Sequence, residues 1–426
     1  MSEFSQFSEF CRRVYPLLFC HRRVTALSFD EWVSRFNANT QAQLVLARRD
    51  WESGRDCIKD AMFIKYFVKM EMGFKPQDEV GETETKPRII SSASPHYNCI
   101  VGPWVAACQK TVKYHHHSRI VVCESRRTAF GAWFHAHRDE LGVECDFSTY
   151  DATQIVEARM LIIELWRLYH RMPHDVYRLM TERARLKVGR GVHGTYCRVE
   201  GTMASGDPDT FLGNTVLNVL SQFYAYCCAR GVGPEEAIAT YSIAASGDDS
   251  YAFDRTRDVA PSQMEATLSR LGFDAKMVVH TTHNDWSKPY GFCSSYFVPT
   301  DTSHYLGPKP GRILAKLGWV RVGGDLQTLR ANMLGVWASV SRIPFAREYV
   351  EHHLRLTAKV QAGTAEERHT FTSDTGNIDQ ATHAWALEYY CITQAEYDDW
   401  VEKLSRTRLG DEFDHRLNEL IFQNDL

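Results

Sequence analysis

The sequence predicts an α+β fold: an antiparallel sheet flanked by helices, with largely helical segments before and after it. Three observations predict it. Strand-like runs and helical stretches alternate through residues 143–300. Within that region, Tyr241-Ser-Ile-Ala-Ala-Ser246 and Ser250-Tyr-Ala-Phe253 flank Gly247-Asp248-Asp249 in a pattern suited to a tight hairpin, because glycine takes a positive φ without a Cβ clash. Hydrophobic residues make up 44% and aromatics 12% of a 426-residue chain, so it is globular and too long for one simple core.

In chain order, residues 5–60 read as helices, with Ser28-x-x-Glu31 as a capping box before an amphipathic run to about Arg48. An apolar stretch from Met62 to Val68 leads to Lys69. A polar loop (76–85) then leads to Lys86-Pro87-Arg88, and Ile89-Ile90 resumes a strand. Helices are expected over 98–117 and 125–141. A strand ending near Ser148 turns into a helix from Ala152, and the helical region runs to Arg185 with a break near Pro173. Residues 187–194 read as a hairpin turn followed by a strand into Ser205, and a helix then runs through Ala229. Gly307-Pro-Lys-Pro-Gly-Arg312 marks the exit from the sheet region. Beyond about 320 the pattern is helical, with a loop near 361–378 and a second capping box at Thr393-x-x-Glu396.

The net charge of −4 means that any nucleic-acid contact must rest on local basic surface. Residues 55–130 offer 12 Lys/Arg against 8 Asp/Glu, a modest excess. The twelve cysteines include no Cys-x-x-Cys pair and no tight Cys/His cluster, which argues against a structural zinc site and for free thiols in a reducing compartment. His115-His116-His117 has no second ligand group at a suggestive spacing. The start, Met1-Ser-Glu-Phe, lacks the pattern of a signal peptide. The most apolar long run, 215–229, is interrupted by Asn218, Ser221 and Gln222 and is too short to span a bilayer, so a soluble chain is expected.

Three segments carry chemistry. Val143-Glu-Cys-Asp-Phe-Ser-Thr-Tyr-Asp151 sets Asp146 at a strand end and Asp151 near a helix N-terminus, where a carboxylate is electrostatically favoured. Ser205-Gly206-x3-Thr210-x3-Asn214 is a small-residue loop opening a helix. Gly247-Asp248-Asp249 presents adjacent carboxylates that repel unless they share a cation. Each alone also suits an ordinary cap, loop or turn. Together, in this order and with 59 and 43 residues between Asp146, Ser205 and Asp248, they resemble motifs A, B and C of viral RNA-dependent RNA polymerases. Phe67-Val-Lys-Met-Glu71, Lys86-Pro-Arg-Ile-Ile90 and Ser94-Pro-His-Tyr-Asn98 resemble motif F. Gly272-Phe-Asp-Ala-Lys276 resembles motif D, and Gly291-Phe-Cys-Ser294 motif E. The Ser-Gly-Asp-x-x-Thr-x-Leu-Gly-Asn and Pro-Arg-Ile-Ile forms are most similar to tombusvirus-like positive-strand viruses. The resemblance covers about residues 60–320.

The resemblance implies a right-hand polymerase: an N-terminal helical segment (1–54), fingers (55–142 and 155–200), a palm (143–154 and 201–304) and a helical thumb (305–426). It implies Mg²⁺, with Mn²⁺ able to substitute, on Asp146, Asp248 and Asp249. Two such ions about 4 Å apart can clamp the attacking and leaving oxygens of an in-line phosphoryl transfer, and magnesium takes oxygen ligands. By the same resemblance Lys69, Lys86 and Arg88 bind the incoming triphosphate, and Asp151, Ser205, Thr210 and Asn214 read the ribose 2′-hydroxyl. Gly206 lets backbone approach template or nucleotide, Lys276 is the general acid for pyrophosphate, and Phe292 and Cys293 support the nascent 3′ end. The implied partners are single-stranded RNA template, nascent RNA, nucleoside triphosphates and other viral replication proteins. The implied location is host cytoplasm, at membrane-associated replication complexes. Reverse transcription and a catalytically inactive RNA-binding subunit are the alternatives. Ser-Gly-Asp-Asp in place of Tyr-x-Asp-Asp, together with Asn214, weighs against the first; the presence of all three carboxylates weighs against the second. A two-metal nuclease would not need the ribose-reading set or motif F.

Overall fold

The N-terminal helices form where apolar residues recur on one face. In α1 (Glu3–Leu18), Phe7, Cys11, Val14, Tyr15 and Leu18 make the buried stripe, and Ser2 caps the N-terminus through Ser5 N–H. The computed structural model describes residues 2–69, 88–191, 194–281, 290–317, 325–363 and 375–426. The helix expected from Ser28 to Arg48 is in fact two. Ser28 caps α2 (Phe29–Val33), and Asn37 then caps α3 (Ala38–Glu52) by accepting from Thr40 N–H. A second side-chain acceptor ends the run, while Trp32 and Val33 are buried. α4 (Ile58–Met62) leads directly into β1 (Phe63–Val68), which pairs antiparallel with β2 (Ile89–Ala93). Ser94 then caps α5 (Pro95–Tyr114), and β3 (Ile120–Val122) follows.

After α6 (Arg127–His137) come β4 (Leu141–Phe147), α7 (Tyr150–Thr153), α8 (Val156–His170) and α9 (His174–Arg185). β5 (Lys187–Gly191) and β6 (Tyr196–Val199) form the expected hairpin, but β6 stops at Val199 and does not reach Ser205. Gly201 and Thr202 both take positive φ, which ends extended backbone there. The remaining elements of this region are α10 (Thr210–Arg230), α11 (Pro234–Thr240), β7 (Tyr241–Ser246), β8 (Asp249–Asp254), α12 (Pro261–Arg270) and β9 (Ala275–His280).

Two sheets organise this unit, which takes in β1–β9, α1–α5 and α7–α12. The five-stranded sheet runs β3-β7-β8-β4-β9 and is antiparallel apart from its β3–β7 edge, which is parallel. β7 is buried at every residue, so this strand is covered on both faces. α10 is buried from Leu212 to Cys227, so its apolar residues point all round into the core and any polar ones must find partners inside. The second sheet, β2-β1-β5-β6, pairs β1 with β5 in parallel.

The other unit comprises α6 and the described residues from 290 onward. Its β10 (Gly291–Phe292), β11 (Ser295–Pro299) and β12 (His304–Pro308) form an antiparallel meander. Gly131 of α6 lies against β12 so closely that a Cβ would stand 2.0 Å from the His304 carbonyl oxygen. Five further helices follow α13 (Pro310–Lys316): α14 (Leu326–Val340), α15 (Ala346–Leu356), α16 (Gln380–Tyr389), α17 (Gln394–Arg406) and α18 (Arg416–Asp425). Both bonds of the Thr393–Glu396 capping box are present. Their core includes Phe345, Trp385, Tyr390 and Trp400.

Candidate active site

β7 and β8 are joined by Gly247-Asp248 alone, with Ser246 paired to Asp249. Gly247 has φ +70°, and a Cβ there would meet nothing within 4 Å. Backbone conformation, not space, therefore demands glycine. Asp248 and Asp249 are exposed at the tip. β4 pairs with β8 as far as Cys145–Ser250, so exposed Asp146 is the next residue toward the acidic turn. On its other side Asp146 is the register partner of exposed Lys276 in β9. Asp146 and Lys276 thus share one rung beside the Gly-Asp-Asp turn, although Asp248 lies 102 residues from Asp146 in sequence. Among the described residues, neither Asp146 nor Asp248 has an ion-pair partner. Exposed carboxylate oxygens that no ion pair occupies are a donor set that suits a hard cation such as Mg²⁺.

The turn is held from beneath by α10. Gly247 N–H donates to Thr215 Oγ1 (2.8 Å), and Asn218 Nδ2 donates to the carbonyls of Gly247 (3.2 Å) and Asp248 (2.8 Å). Gln222 Nε2 donates to Asn218 Oδ1 and to Ser250 Oγ, both at 2.6 Å, and Tyr241 Oη donates to Gln222 Oε1 at 3.0 Å. Thr215, Asn218 and Gln222 are wholly buried. They follow i, i+3, i+7 spacing, which puts them on one helix face. This ladder was missed in the sequence reading, where Asn218 and Gln222 counted only against a membrane span. Their helical spacing inside an apolar run was the available signal.

Asn214, on the same helix, donates from Nδ2 to Asp151 Oδ1 at 2.7 Å and accepts from Gln154 Nε2 at 2.7 Å. The structure therefore joins Asp151 and Asn214 directly, and it adds Gln154, which nothing in its local sequence announced. Burial pushes the Asp151 carboxyl above its usual range; the Asn214 hydrogen bond opposes this, and the nearby Asp248 charge adds to it.

Residues 201–209 are pinned at both ends. Thr202 and Met203 N–H donate to the carbonyls of Gln154 and Asp151. Buried Arg159 donates from Nη2 to Asp209 Oδ2 at 2.6 Å. Buried Arg183 donates from Nε to both Asp207 oxygens at 3.2 Å, from Nη1 to the carbonyls of Ala61 (3.1 Å) and Phe63 (3.3 Å), and lies over the Tyr97 ring. Lys187 Nζ donates to the carbonyls of Arg183 and Gly201 from a site only 2% exposed. Burial lowers its pKa to about 8.

Ser205 Oγ accepts from Ser91 N–H at 3.0 Å, and Gly206 N–H donates to the Ser91 carbonyl at 2.9 Å. A Cβ on Gly206 would meet that carbonyl oxygen at 2.8 Å and Ser92 Cα at 2.9 Å. Thus Gly206 permits the loop to bridge the β2 edge. Thr210 Oγ1 donates to the carbonyls of Ala204 and Asp207, so its hydroxyl serves the start of α10. Lys69 N–H donates to the Arg88 carbonyl at 2.7 Å, which sets these two cationic residues opposite each other just beyond the Val68–Ile89 end of the β1–β2 pair. Lys86 lies outside the described residues. Phe292 and Cys293 belong to the other unit, where Phe292 is buried and Cys293 begins the β10–β11 turn with φ +51°.

The family described as RNA dependent RNA polymerase matches residues 8–361, which include every one of these elements. The chain belongs to the RNA-dependent RNA polymerase family. It is similar to a replicase polyprotein 1ab of Beet yellows virus (isolate Ukraine), 30% identical over 122 residues that make up 28% of this chain and 3% of that polyprotein. It is also similar to a replicase large subunit of Potato mop-top virus (isolate Potato/Sweden/Sw), 22% identical over 260 residues, 60% of this chain and 13% of that subunit. The matched regions are thus a small part of both replicase relatives' lengths.

Proposed function

We propose that this chain carries out template-directed RNA synthesis by two-metal nucleotidyl transfer, replicating the genome of a positive-strand RNA virus related to the tombusvirus-like group. One observation carries the reading most: Asp146 and the Gly247-Asp248-Asp249 turn stand side by side on paired strands, with Asn214 bonded to Asp151 behind them. Asp146 and Asp248, with Asp249 beside them, would hold Mg²⁺ or Mn²⁺, which would neutralise triphosphate charge and make the 3′-hydroxyl acidic. The chain's own groups do the rest. Lys69 and Arg88, with Lys86, hold the triphosphate; Arg88 suits this through its planar fork. The Asp151–Asn214 pair fixes an amide that can read a ribose hydroxyl. Lys276, on the rung of Asp146, hands a proton to departing pyrophosphate.

In this reading residues 55–142 and 155–200 are fingers, 143–154 and 201–304 palm and 305–426 thumb, with RNA template, nascent strand and nucleoside triphosphates as substrates. Work in the host cytoplasm on membrane-associated replication complexes, beside other viral proteins, completes the proposal. Among the described residues no helix is long and apolar enough to cross a membrane.

The test is incorporation of labelled nucleotides on a defined RNA template with Mg²⁺, with and without primer. Wild type should extend; Asp146→Ala and Asp248→Ala should fall to background while unfolding temperature and RNA binding stay near wild type, since both side chains are exposed. Near-normal synthesis by both variants would discard the metal assignment.

A further inference from the structure

Cysteine spacing gives no hint of zinc, yet folding brings three different donor types together away from the acidic turn. Asp50 near the end of α3, Cys57 just before α4 and His96 in the first turn of α5 place a carboxylate oxygen, a thiol sulfur and an imidazole nitrogen within 4.8 Å of one another. His96 Nε2 lies 2.9 Å from Asp50 Oδ2. Cys57 is wholly buried, and its side chain makes no capping bond for α4. Asp50 remains 36% exposed, leaving water a way in.

We propose that Asp50, Cys57 and His96 bind one zinc ion. Thiolate, imidazole and carboxylate together are the donor set of a borderline-soft, tetrahedral cation and not of magnesium. Bonds of about 2.0–2.3 Å would hold the donors about 3.3–3.7 Å apart, so side-chain shifts of about 1 Å suffice, with water as the fourth ligand. Arg55 Nη1 already holds Asp50 Oδ2 at 2.6 Å while its Nη2 holds Asp60 at 2.7 Å, which orients the carboxylate and leaves Oδ1 for the ion. Binding must expel the thiol proton and shift the one that His96 Nε2 shares with Asp50 Oδ2, so it weakens as pH falls.

The position gives the ion a task. Cys57 precedes α4 and β1, and His96 follows β2, so the two ligands flank the β1–β2 hairpin at its Ile64–Ala93 end. Lys69 and Arg88 stand at the opposite end. Zinc would clamp the base of the hairpin to α3 and fix the direction in which those cations are held.

The test uses the full chain stripped with chelator and titrated with Co²⁺, then Zn²⁺. One equivalent of Co²⁺ should give tetrahedral visible bands and a thiolate-to-cobalt charge-transfer band. Zn²⁺ should displace it and raise the unfolding temperature by a few degrees. Cys57→Ser should abolish the charge-transfer band, whereas Cys99→Ser and Asp248→Ala should keep it. Oxygen ligands at the acidic turn give no such band, so this result is read apart from polymerase activity. His96→Gln, at a partly exposed site, should weaken zinc at least tenfold with the chelator-treated chain still folded. Absence of the band in wild type, its survival in Cys57→Ser, or unchanged zinc affinity in His96→Gln would each overturn the site.

Discussion

The Gly247-Asp248 turn and the 201–209 loop are both held by buried polar groups, yet by opposite kinds. Neutral amides and hydroxyls from one face of α10 satisfy the turn's backbone. The loop is held by buried charge: Arg159 with Asp209, Arg183 with Asp207, and Lys187 beneath them. The difference follows from what each region carries. A cation under the turn would pair with Asp146 or Asp248 and compete with any metal, whereas a neutral ladder fixes the backbone and leaves their charge intact. The loop bears no such acids at its surface. It must join α8, α9, α10 and the β1 entry, and Arg183 reaches Asp207 and two carbonyls at once. The cost is vulnerability, since a buried charge whose partner is removed is strongly destabilising.

That contrast breaks first, and hardest, at Arg183. Arg183→Ala leaves Asp207 buried and unpaired and frees two carbonyls, so it should cost about 3–5 kcal/mol of unfolding free energy in urea. The double replacement Arg183→Met with Asp207→Leu should recover much of that loss. A loss below about 1 kcal/mol for the single variant would mean the pair is not what holds the loop.

Next comes Lys187, the unpaired charge of the three. Its folded pKa is lowered from 10.5 to about 8, so below pH 8 it is protonated in both states and its burial is a constant penalty. Between pH 8 and 10.5 the unfolded chain binds more protons than the folded one, so this group makes stability rise with pH, by about 3 kcal/mol at most. Buried thiols titrate in the opposite sense, so the informative quantity is wild type minus Lys187→Met across that window. A difference independent of pH would mean the folded pKa is ordinary.

The ladder should respond more gently, and through activity. Asn218→Ala removes the donor to two turn carbonyls and should cost about 1–3 kcal/mol. It should also lower kcat more than it raises the KM for nucleotides, because Asp248 loses its fixed position while Lys69 and Arg88, the proposed triphosphate ligands, are untouched. Equal effects from Thr210→Val, which frees the loop carbonyls of Ala204 and Asp207 from the start of α10, would erase the distinction between the two regions.

How far the sequence revealed this follows the same division. The hairpin, the strand carrying Asp146 and the helix from Thr210 were legible because turn chemistry and apolar period are local signals. Asp151 and Asn214 were legible as a pair only through the resemblance, and the structure puts their side chains in contact across 63 residues. The supporting groups were not legible. Arg183 and Asp207 look like surface charges until the fold shows both about 1% exposed. Asn218 and Gln222 look like interruptions of an apolar helix until β7 and β8 lie against them. The single helix from Ser28 failed at Asn37 because a cap can be read equally as an interior residue. The extended run to Ser205 failed because Thr202 takes a left-handed φ that its identity does not announce.

The smallest expected effect lies where the two regions meet. Asn214 sits in α10 with the ladder, but its amide is committed to Asp151 and Gln154, the residues whose carbonyls receive the loop's N–H groups. With one N–H on Asp151 and the oxygen on Gln154, the amide plane is fixed, and a second N–H remains that, under the proposed function, would meet a ribose hydroxyl. A site built to bond that hydroxyl rejects the sugar lacking it, because its polar group is then left unpaired. Asn214→Ala should therefore reduce use of ribonucleotides more than 2′-deoxynucleotides, narrowing the ratio about tenfold, equivalent to ~1.4 kcal/mol. Single-turnover incorporation of GTP against dGTP measures it. Gln154→Ala should do the same to a lesser degree, by loosening the amide without removing it. An unchanged ratio with uniformly lower activity would make Asn214 a brace between turn and loop, and sugar choice would have to be sought at Ser205 or Asp151.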